Sequence, residues 1–386
     1  MSREISELAA RVREQVIAWQ RDIHAHPEIG FDTVRTAALA AAQLRKVGLK
    51  VREGVGRTGV VADLDVPGAR RRIAFRADMD ALPMDEENEL SYRSTIPGRA
   101  HMCGHDAHTA MLLGAATALA SSGAKLPTSV RFIFQPNEEA LPGGAPAMIA
   151  DGCLDGVDRI FGMHVWPIID TGAVGIVEGP ALAQPDTFRI VLDGTGGHAA
   201  APHACADIVL AAAQIVTALQ SIVARNVDPM ESAVVSVTTL RFGTADNILP
   251  AHGEMRGTIR SFKSPVGELA RTRLCEIATG VASALGVKAT VEVALGYPVT
   301  NNDPESCRIA ARALAGSIPQ TPATPVLGGE DFAYYQQKIP GAFLFLGTRN
   351  TAKGLIYFCH HPRFQVDDPA LEVGVRTWLH IALSGG

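Results

Sequence analysis

Short apolar runs alternate with helical patterns from the start of the chain to about residue 183. The runs 59–66, 71–78, 129–135 and 159–165 have the composition of strands, and residues 106–122 have that of an apolar helix. Strands that alternate with helices are typical of α/β domains. We therefore predict an α/β fold with a largely parallel sheet for this part of the chain.

The order of elements changes at Asp186. A strand and a helix are followed by two strands, a second helix and a last strand, at 186–194, 205–224, 233–242, 253–262, 265–284 and 288–295. This β-α-β-β-α-β order predicts a ferredoxin-like module. The helix 305–315, the strand 342–348 and the helix 369–383 then predict a return to the first domain. We expect one discontinuous domain, 1–184 and 297–386, with an insertion at 185–296.

Composition favours a globular protein that acts on a small molecule. The 386 residues are 47% hydrophobic and 19% charged, and their net charge of -5 contains no block of one sign. This distribution has no electrostatic footprint for nucleic acid or an anionic membrane. The charged N-terminal segment predicts an amphipathic helix and not a signal peptide, and the apolar stretches 109–120 and 208–224 are shorter than the ~20 residues of a membrane span.

Cysteine usage indicates the cytoplasm. The six cysteines show no CxxC pairing and are scattered along a large chain. Scattered cysteines in a large chain are typical of reduced thiols in the cytosol. Of the six, Cys103 is the one embedded among other side chains able to bind metal.

Several predicted strands end in acids or imidazoles, and one helix begins with them. In parallel α/β sheets, ligands bind outside the carboxyl ends of the strands. We expect the side chains that follow these strands to converge on one crevice, joined by two from the loop before the apolar helix. They are Asp78, Asp80, Glu138, Glu139 and His164 after strands, and Cys103 and His105 in the loop.

Thiolate, imidazole and carboxylate together predict a metal site. Each residue alone would be interpreted as a solvated turn or a cap. We expect Asp106 to cap the helix or brace a neighbour, and His101 and His108 to be loop or surface residues. Gly104 permits the loop between Cys103 and His105 to bend.

The pair Glu138 and Glu139 indicates metal-assisted hydrolysis. Adjacent carboxylates point in different directions, so one can bind metal while the other accepts the proton of a water molecule. Near the other end of the chain, the segment YFCHHPRF offers one more ligand, and the pattern does not distinguish Cys359, His360 and His361.

The insertion has its own unusual residues. Glycines before His198 in GTGGHAAAPH predict a tight turn that leaves the imidazole exposed. Asn247 and Arg260 are ordinary residues taken singly, although an arginine pairs bidentately with carboxylates.

Seven motifs, spread over nearly the whole chain, resemble those of the M20 metallopeptidase family. The resemblance is to the amidohydrolase branch of hippurate hydrolases, aminoacylases and auxin-conjugate hydrolases. It implies a catalytic domain with two divalent metal ions, zinc or else manganese or cobalt, and an inserted lid or dimerisation domain. The motifs are FRADMDALP, HMCGHDAHTAML, FQPNEE, GMHVWP, GGHAAAPH, GGEDFAYY and HHPRF.

The resemblance also implies a role for individual residues. Cys103 resembles the bridging thiolate, and the remaining ligands would be His105, Glu139, His164 and His360. Glu138 resembles the general base, and Asp80 the carboxylate that orients a ligand imidazole. His198 resembles a lid histidine that reaches the active site of the partner subunit in a homodimer and stabilises the oxyanion. Asn247 and Arg260 resemble lid residues that hold the substrate.

We therefore expect hydrolysis of N-acyl amino acids to a carboxylic acid and a free amino acid. A dipeptidase, or a deacetylase of a biosynthetic intermediate, would share this site and differ in the pocket. A scaffold protein with a structural metal is the alternative that is not an enzyme. Both Glu138 and the ligand set are present, which favours the enzyme.

Overall fold

The computed structural model describes residues 2–385, which form two compact units. The first unit contains the chain up to Ala181, the segment Asn301–Thr324 and the chain from Asp331 onward. The second unit contains Leu182–Thr300 and Pro325–Glu330. The short segment 325–330 thus belongs to the same unit as the inserted β-α-β-β-α-β module, although it is distant from that module in sequence.

The first unit is built on a mixed sheet with the strand order β1-β2-β4-β3-β5-β16-β6-β15. Its strands are β1 (Lys50–Val55), β2 (Gly59–Leu64), β3 (Arg72–Asp78), β4 (Ser129–Gln135), β5 (Arg159–Asp170), β6 (Val174–Ile176), β15 (Gln320–Pro322) and β16 (Gly341–Arg349). The centre is parallel, because β3 runs parallel to β4 and β5, and β5 runs parallel to β16. The predicted α/β class with a largely parallel sheet is confirmed.

The helices of the first unit are α1 (Ser2–Ala25), α2 (Val34–Lys46), α3 (His105–Ser122), α4 (Ala145–Ala150), α7 (Pro304–Leu314), α8 (Ala333–Gln336) and α9 (Asp368–Ser384). They include the four predicted from sequence, α1, α3, α7 and α9, and three that were not predicted, α2, α4 and α8. The predicted N-terminal helix and the closing helix are both present. Two short strands, β7 (Gly179–Leu182) and β14 (Thr300–Asn302), lie where the chain first enters and first leaves the second unit.

Helix α3 is apolar on all sides because other elements surround it. It packs against β3, β4 and β5 and against α1 and α9. At Gly114 a Cβ atom would lie 2.4 Å from Val16 Cγ2 of α1 and 3.0 Å from Val375 Cγ2 of α9, so a small residue is required there. The Thr109 hydroxyl donates to the carbonyl of Asp78, 2.7 Å away, which places the first turns of α3 at the carboxyl end of β3.

The second unit is a two-layer module. Its antiparallel sheet has the order β10-β12-β8-β13, and helices α5 and α6 share an apolar core with it. The elements are β8 (Gln184–Asp193), β9 (Gly197–His198), α5 (Ile208–Ser221), β10 (Ala233–Phe242), β11 (Ile248–Leu249), β12 (His252–Ser261), α6 (Ser264–Ala284) and β13 (Lys288–Ala294). The β-α-β-β-α-β order predicted from sequence is confirmed.

Helix α5 continues as a π-helical turn, Ile222–Asn226. By length and composition, the whole segment Ile208–Asn226 could cross a membrane, with a hydropathy of 1.6 in its most apolar window. A core helix of a globular domain passes the same test, and one face of α5 contributes Ile215 and Leu219 to the core of the second unit.

Candidate active site

Asp80 organises the backbone of the two adjacent glutamates. It follows β3, and its Oδ1 accepts a hydrogen bond from the backbone N–H of Glu138 at 2.9 Å. Its Oδ2 accepts one from the N–H of Glu139 at 3.1 Å. Asp80 Oδ1 also lies 3.4 Å from Nδ1 of His105. One buried carboxylate therefore holds the loop after β4 next to the start of α3.

A glycine turns the chain between Cys103 and His105. Gly104 has a φ of 95°, and a Cβ atom there would lie 2.3 Å from Cγ2 of Val165. The turn brings Cys103 Sγ to 3.4 Å from Nε2 of His164 on β5. The ligand atoms of Cys103, His105 and His164 all lie within 4.8 Å of one another.

Glu139 lies between His105 of this group and His360, which comes from a distant part of the chain. Its Oε1 lies 3.7 Å from Nε2 of His105, and its Oε2 lies 3.4 Å from Nε2 of His360. The ligand atoms of Cys103, Glu139 and His360 form a second group within 4.8 Å. The structure thus brings the five ligands predicted from sequence together in two groups that share Cys103.

The three candidates in YFCHHPRF occupy different positions. His360 faces Glu139, and its backbone N–H donates to the carbonyl of Met102 at 2.7 Å. The His361 ring instead stacks on Tyr357 at 4.2 Å between centroids, and its Nδ1 accepts from the N–H of Arg363. Cys359 Sγ lies 3.9 Å from the carbonyl oxygen of Cys103.

The donor atoms fit a metal ion. Nε2 of His105 and Oε1 of Glu139 are buried and have no hydrogen-bond partner among residues 2–385. Buried polar atoms without a partner are rare in proteins and call for an explanation such as a bound ion. Nδ1 of His164 donates to the carbonyl of Val165 at 2.7 Å, which leaves the lone pair on Nε2. A thiolate with imidazoles and carboxylates suits zinc or another late transition metal.

Electrostatics at this cluster favour a cation. Burial lowers the pKa of His105, but the negative charges of Asp78, Asp80 and Glu139 outweigh burial and raise it well above its usual value. The hydrogen bond with Cys359, burial and the charge of Glu139 raise the pKa of the Cys103 thiol. Negative charge contributes to both shifts, because Glu139 raises the pKa of His105 and of Cys103.

His164 has the opposite shift. Burial and the neighbouring His108 lower its pKa well below the usual value, so its imidazole is neutral. A neutral imidazole is the form that binds a metal.

A model of peptidase family M20/M25/M40 matches residues 74–384, which is most of the chain. The chain belongs to this peptidase family. Thermostable carboxypeptidase 2 of Saccharolobus solfataricus is 40% identical over 377 residues, which cover 96% of this chain and 95% of that protein. The N-acyl-L-amino acid amidohydrolase of Geobacillus stearothermophilus is 42% identical over 301 residues, which cover 78% of this chain and 81% of that one.

A solved structure of the M20 family has the same fold. This structure, a dinuclear metal-binding peptidase from Bacillus subtilis, aligns with a TM-score of 0.85 at 35% identity and covers 97% of this chain and 98% of that one. The family resemblance found in the sequence motifs is confirmed. This M20 family member is a metal-dependent hydrolase of amide bonds.

A buried network that the sequence patterns did not predict adjoins the M20 site. Arg76 of β3 donates to Asp78 Oδ2 at 2.5 Å, to Asp331 Oδ1 at 2.7 Å and to Gln135 Oε1 at 2.9 Å. The Tyr335 hydroxyl donates to the same oxygen of Gln135, also at 2.9 Å. The available signal was the arginine in the middle of an apolar strand, because a buried arginine requires acidic partners.

Three other residues of the opening motif, Asp106, His101 and His108, are buried. The N-cap of α3 is Gly104, so of the two roles expected for Asp106, capping the helix or bracing a neighbour, the first is not observed. Asp106 instead braces α1, because its Oδ2 accepts from Gln20 Nε2 at 2.6 Å and from His24 Nδ1 at 2.7 Å. His101 lies in the loop before α3, as expected, although it is buried, whereas His108, expected in a loop or at the surface, is buried within α3.

The remaining three predicted residues lie in the second unit. His198 is exposed in β9, and its Nδ1 accepts from the N–H of Ala200 at 3.0 Å. In a neutral ring this acceptor places the proton on Nε2. Asn247 is exposed, and its backbone carbonyl accepts from the N–H of Ala199 at 3.0 Å. Arg260 is half-buried, and its Nε donates to Thr258 Oγ1 at 2.9 Å.

Proposed function

We propose that this protein hydrolyses N-acyl amino acids, either hippurate-like or carrying an N-acetyl or aryl-acyl group, to a carboxylic acid and a free amino acid. The observation that carries the proposal is the position of the buried Glu138. Its carboxylate, His105 and Glu139 present atoms within 4.8 Å of one another. A carboxylate beside a set of metal ligands, but outside that set, is suited to act as a general base.

Two divalent metal ions are part of the proposal. Zinc fits the donor set best, with manganese or cobalt as alternatives. The ions would be held by Cys103, His105, Glu139, His164 and His360, with the Cys103 thiolate as the bridge. When bound, such ions polarise a carbonyl group and lower the pKa of water. The similar peptidase from Bacillus subtilis is described as dinuclear, which supports two ions here.

The side chains of the site would then have separate roles in proton transfer, positioning, oxyanion stabilisation and substrate binding. Glu138 accepts the proton of the attacking water and delivers it to the leaving nitrogen as the amide bond breaks. Asp80 fixes the positions of Glu138 and Glu139 by accepting hydrogen bonds from their backbone N–H groups. His198, with a proton on Nε2, would stabilise the oxyanion. Arg260 and Asn247 would hold the substrate, with the guanidinium paired to its carboxylate.

We further propose how the chain is organised. Residues 1–184 and 297–386 would be the catalytic domain, and residues 185–296 the lid and dimerisation domain of a cytoplasmic homodimer. In that dimer, His198 would act in the active site of the partner subunit. The substrate is a small molecule, with neither nucleic acid nor membrane as a partner.

Two related activities share this site. A dipeptidase is a candidate because a similar protein is named a carboxypeptidase, and a deacetylase of a biosynthetic intermediate is another. The reconstituted enzyme should be assayed with hippurate, N-acetyl amino acids and dipeptides side by side. Faster turnover of dipeptides than of every N-acyl amino acid would replace the proposed substrate class. A scaffold role would require that none of them is cleaved.

Glu138→Gln tests the chemistry. The amide keeps the shape of the side chain but cannot accept the water proton, so we expect kcat to fall by about 10²–10⁴-fold. Metal content, measured by elemental analysis, should remain that of the wild type. Glu139→Gln is the matched control, since it should lose metal as well as activity. A Glu138→Gln enzyme with near-normal turnover would remove Glu138 from the role of base.

A further inference from the structure

Among residues 2–385, the carboxyl half of β5 has no strand partner on one side. β3 pairs with β5 only from Arg159 to Gly162, whereas β16 continues alongside β5 on the other side. The backbone N–H and carbonyl of a strand residue point to the same side. Val165 lies three residues beyond the end of the pairing with β3. Its two polar backbone groups therefore need partners other than a neighbouring strand.

Two imidazoles provide these partners. The N–H of Val165 donates to Nε2 of His108 at 2.9 Å. The carbonyl of Val165 accepts from Nδ1 of His164 at 2.7 Å. The rings of His108 and His164 also touch edge to face, with 4.6 Å between centroids.

The hydrogen bonds determine which nitrogen of His108 carries a proton. A backbone N–H can only donate, so Nε2 of His108 must accept, and a neutral ring then carries its proton on Nδ1. Nδ1 donates to Asp78 Oδ1 at 2.6 Å. The other oxygen of Asp78 accepts from Arg76 at 2.5 Å. His108 is thus held at both nitrogens inside the protein and has no freedom to flip.

We propose that His108 is a positioning residue for the metal ligand His164. By holding the N–H of Val165, His108 orients the stretch of backbone whose carbonyl binds Nδ1 of His164. That hydrogen bond keeps the lone pair of His164 on Nε2, the atom 3.4 Å from Cys103 Sγ. The inference rests on the proposed role of His164 as a ligand.

Two amide substitutions separate the two hydrogen bonds of His108, the one with the N–H of Val165 and the one with Asp78. In His108→Gln, the side-chain oxygen can reach the former position of Nε2 and accept from Val165. In His108→Asn, the shorter amide can replace Nδ1 as the donor to Asp78 but does not reach Val165. His108→Phe keeps the ring volume and loses both bonds. We expect the affinity for metal to follow the order wild type, Gln, then Asn and Phe together.

The assay is competition between the metal-free protein and a chromophoric zinc chelator. Loss of an outer partner of a metal-binding histidine typically costs about 10–100-fold in affinity, and we expect this loss for the Asn and Phe variants. Amide exchange in the β5 peptide that contains Val165 should rise in the same two variants and not in Gln. His380→Phe, which removes another buried imidazole of the first unit, should change neither.

His164→Ala separates failure of this inference from failure of the proposed function. If His164→Ala keeps both metal ions, the ligand role is wrong. If it loses metal while His108→Phe binds zinc as tightly as the wild type, the positioning role alone is wrong. Equal affinities for the Gln and Asn variants would also overturn it, because a general packing role predicts no rescue by Gln.

Discussion

Gly104 is the residue at which backbone conformation and the site are most directly linked. It has a φ of 95°, and a Cβ atom at this position would lie only 2.3 Å from Cγ2 of Val165. The two flanking residues are proposed ligands. The side chain of Val165 therefore limits the loop from one side, while its backbone holds the imidazoles of His108 and His164 from the other.

The substitution Gly104→Ala should be costly for both reasons. A left-handed conformation costs a residue with a side chain about 1–2 kcal/mol, and the clash with Val165 adds about 1–3 kcal/mol of overpacking. All three tryptophans of the chain, Trp19, Trp166 and Trp378, belong to the first unit, so their fluorescence reports the unfolding of that unit. We expect a lower urea midpoint in EDTA and weaker zinc binding.

Gly123 offers a matched control for this prediction. It ends the same helix with a φ of 64°, and, beyond its immediate chain neighbours, a Cβ atom there would lie more than 4 Å from every heavy atom of the described part of the chain, residues 2–385. Gly123→Ala should therefore be destabilised only by the cost of the left-handed conformation, about 1–2 kcal/mol, and should bind zinc as the wild type does. Equal destabilisation by the two substitutions would contradict the contact with Val165.

Individual residues could be predicted from sequence where they follow a strong pattern. The five ligands stand at strand ends or in a motif loop, and the resemblance named each of them. His108 was missed because its environment depends on where β3 stops pairing with β5, and strand register is not visible in one sequence. The spacing of three residues from His105 was the available signal, since it puts both rings on one face of α3.

At the scale of elements, the contact between α1 and α3 contains a buried ion triad. His24 lies between Asp106 and Glu86, with Nδ1 2.7 Å from the first carboxylate and Nε2 3.2 Å from the second. Burial lowers the pKa of His24, but the hydrogen bonds and charges of Asp106 and Glu86 raise it to about 10. The pairing therefore ties α1 to the first turn of α3 while His24 is charged.

The triad predicts how stability depends on pH. Because the folded-state pKa of His24 is raised, its stabilising contribution is complete below about pH 6.5 and is lost as pH rises to about 10. One unit of pKa corresponds to about 1.4 kcal/mol, so the titration of His24 alone changes the free energy of unfolding by at most about 1.4 kcal/mol per pH unit. The stability difference between wild type and His24→Gln should shrink over this range when unfolding is followed by tryptophan fluorescence in EDTA.

His252→Gln is the control for this experiment. His252 is exposed and pairs with Asp193 in the second unit, which contains no tryptophan. It should leave the profile of the wild type unchanged. A constant difference between wild type and His24→Gln from pH 6 to pH 10 would mean that His24 is not charged in the folded protein.

Elements were easier to predict than their partners. Period and composition identified most of the longer strands and helices of both units, because each apolar face must be buried against something, but missed β1, α2 and short elements such as α4 and α8. The brace from α1 to Asp106 and the network around Arg76 join residues that are 82 and 255 positions apart in sequence. Such pairings depend on how the elements pack, so the sequence indicated only that the charged residues needed partners.

For the whole molecule, all five proposed ligands lie in the first unit, and the second unit has a separate apolar core. A ligand that binds only the folded state stabilises it by about 2.7 kcal/mol when its free concentration is 100 times Kd. Metal should therefore stabilise the first unit. The second unit receives no such contribution from ligands of its own.

Removal of metal should separate the two units in one experiment. In EDTA we expect the tryptophan-detected unfolding midpoint to fall and amide exchange to accelerate in α3 and at the ends of β3, β4 and β5. Exchange in β8, β10 and β12 should stay unchanged, because these strands belong to the separate core of the second unit. Adding zinc back should restore slow exchange in α3 and at the ends of β3, β4 and β5 in the wild type, but not in Cys103→Ala. Equal acceleration in both sets of strands would contradict a metal site confined to the first unit, because the free energy of binding would then be shared by the whole chain.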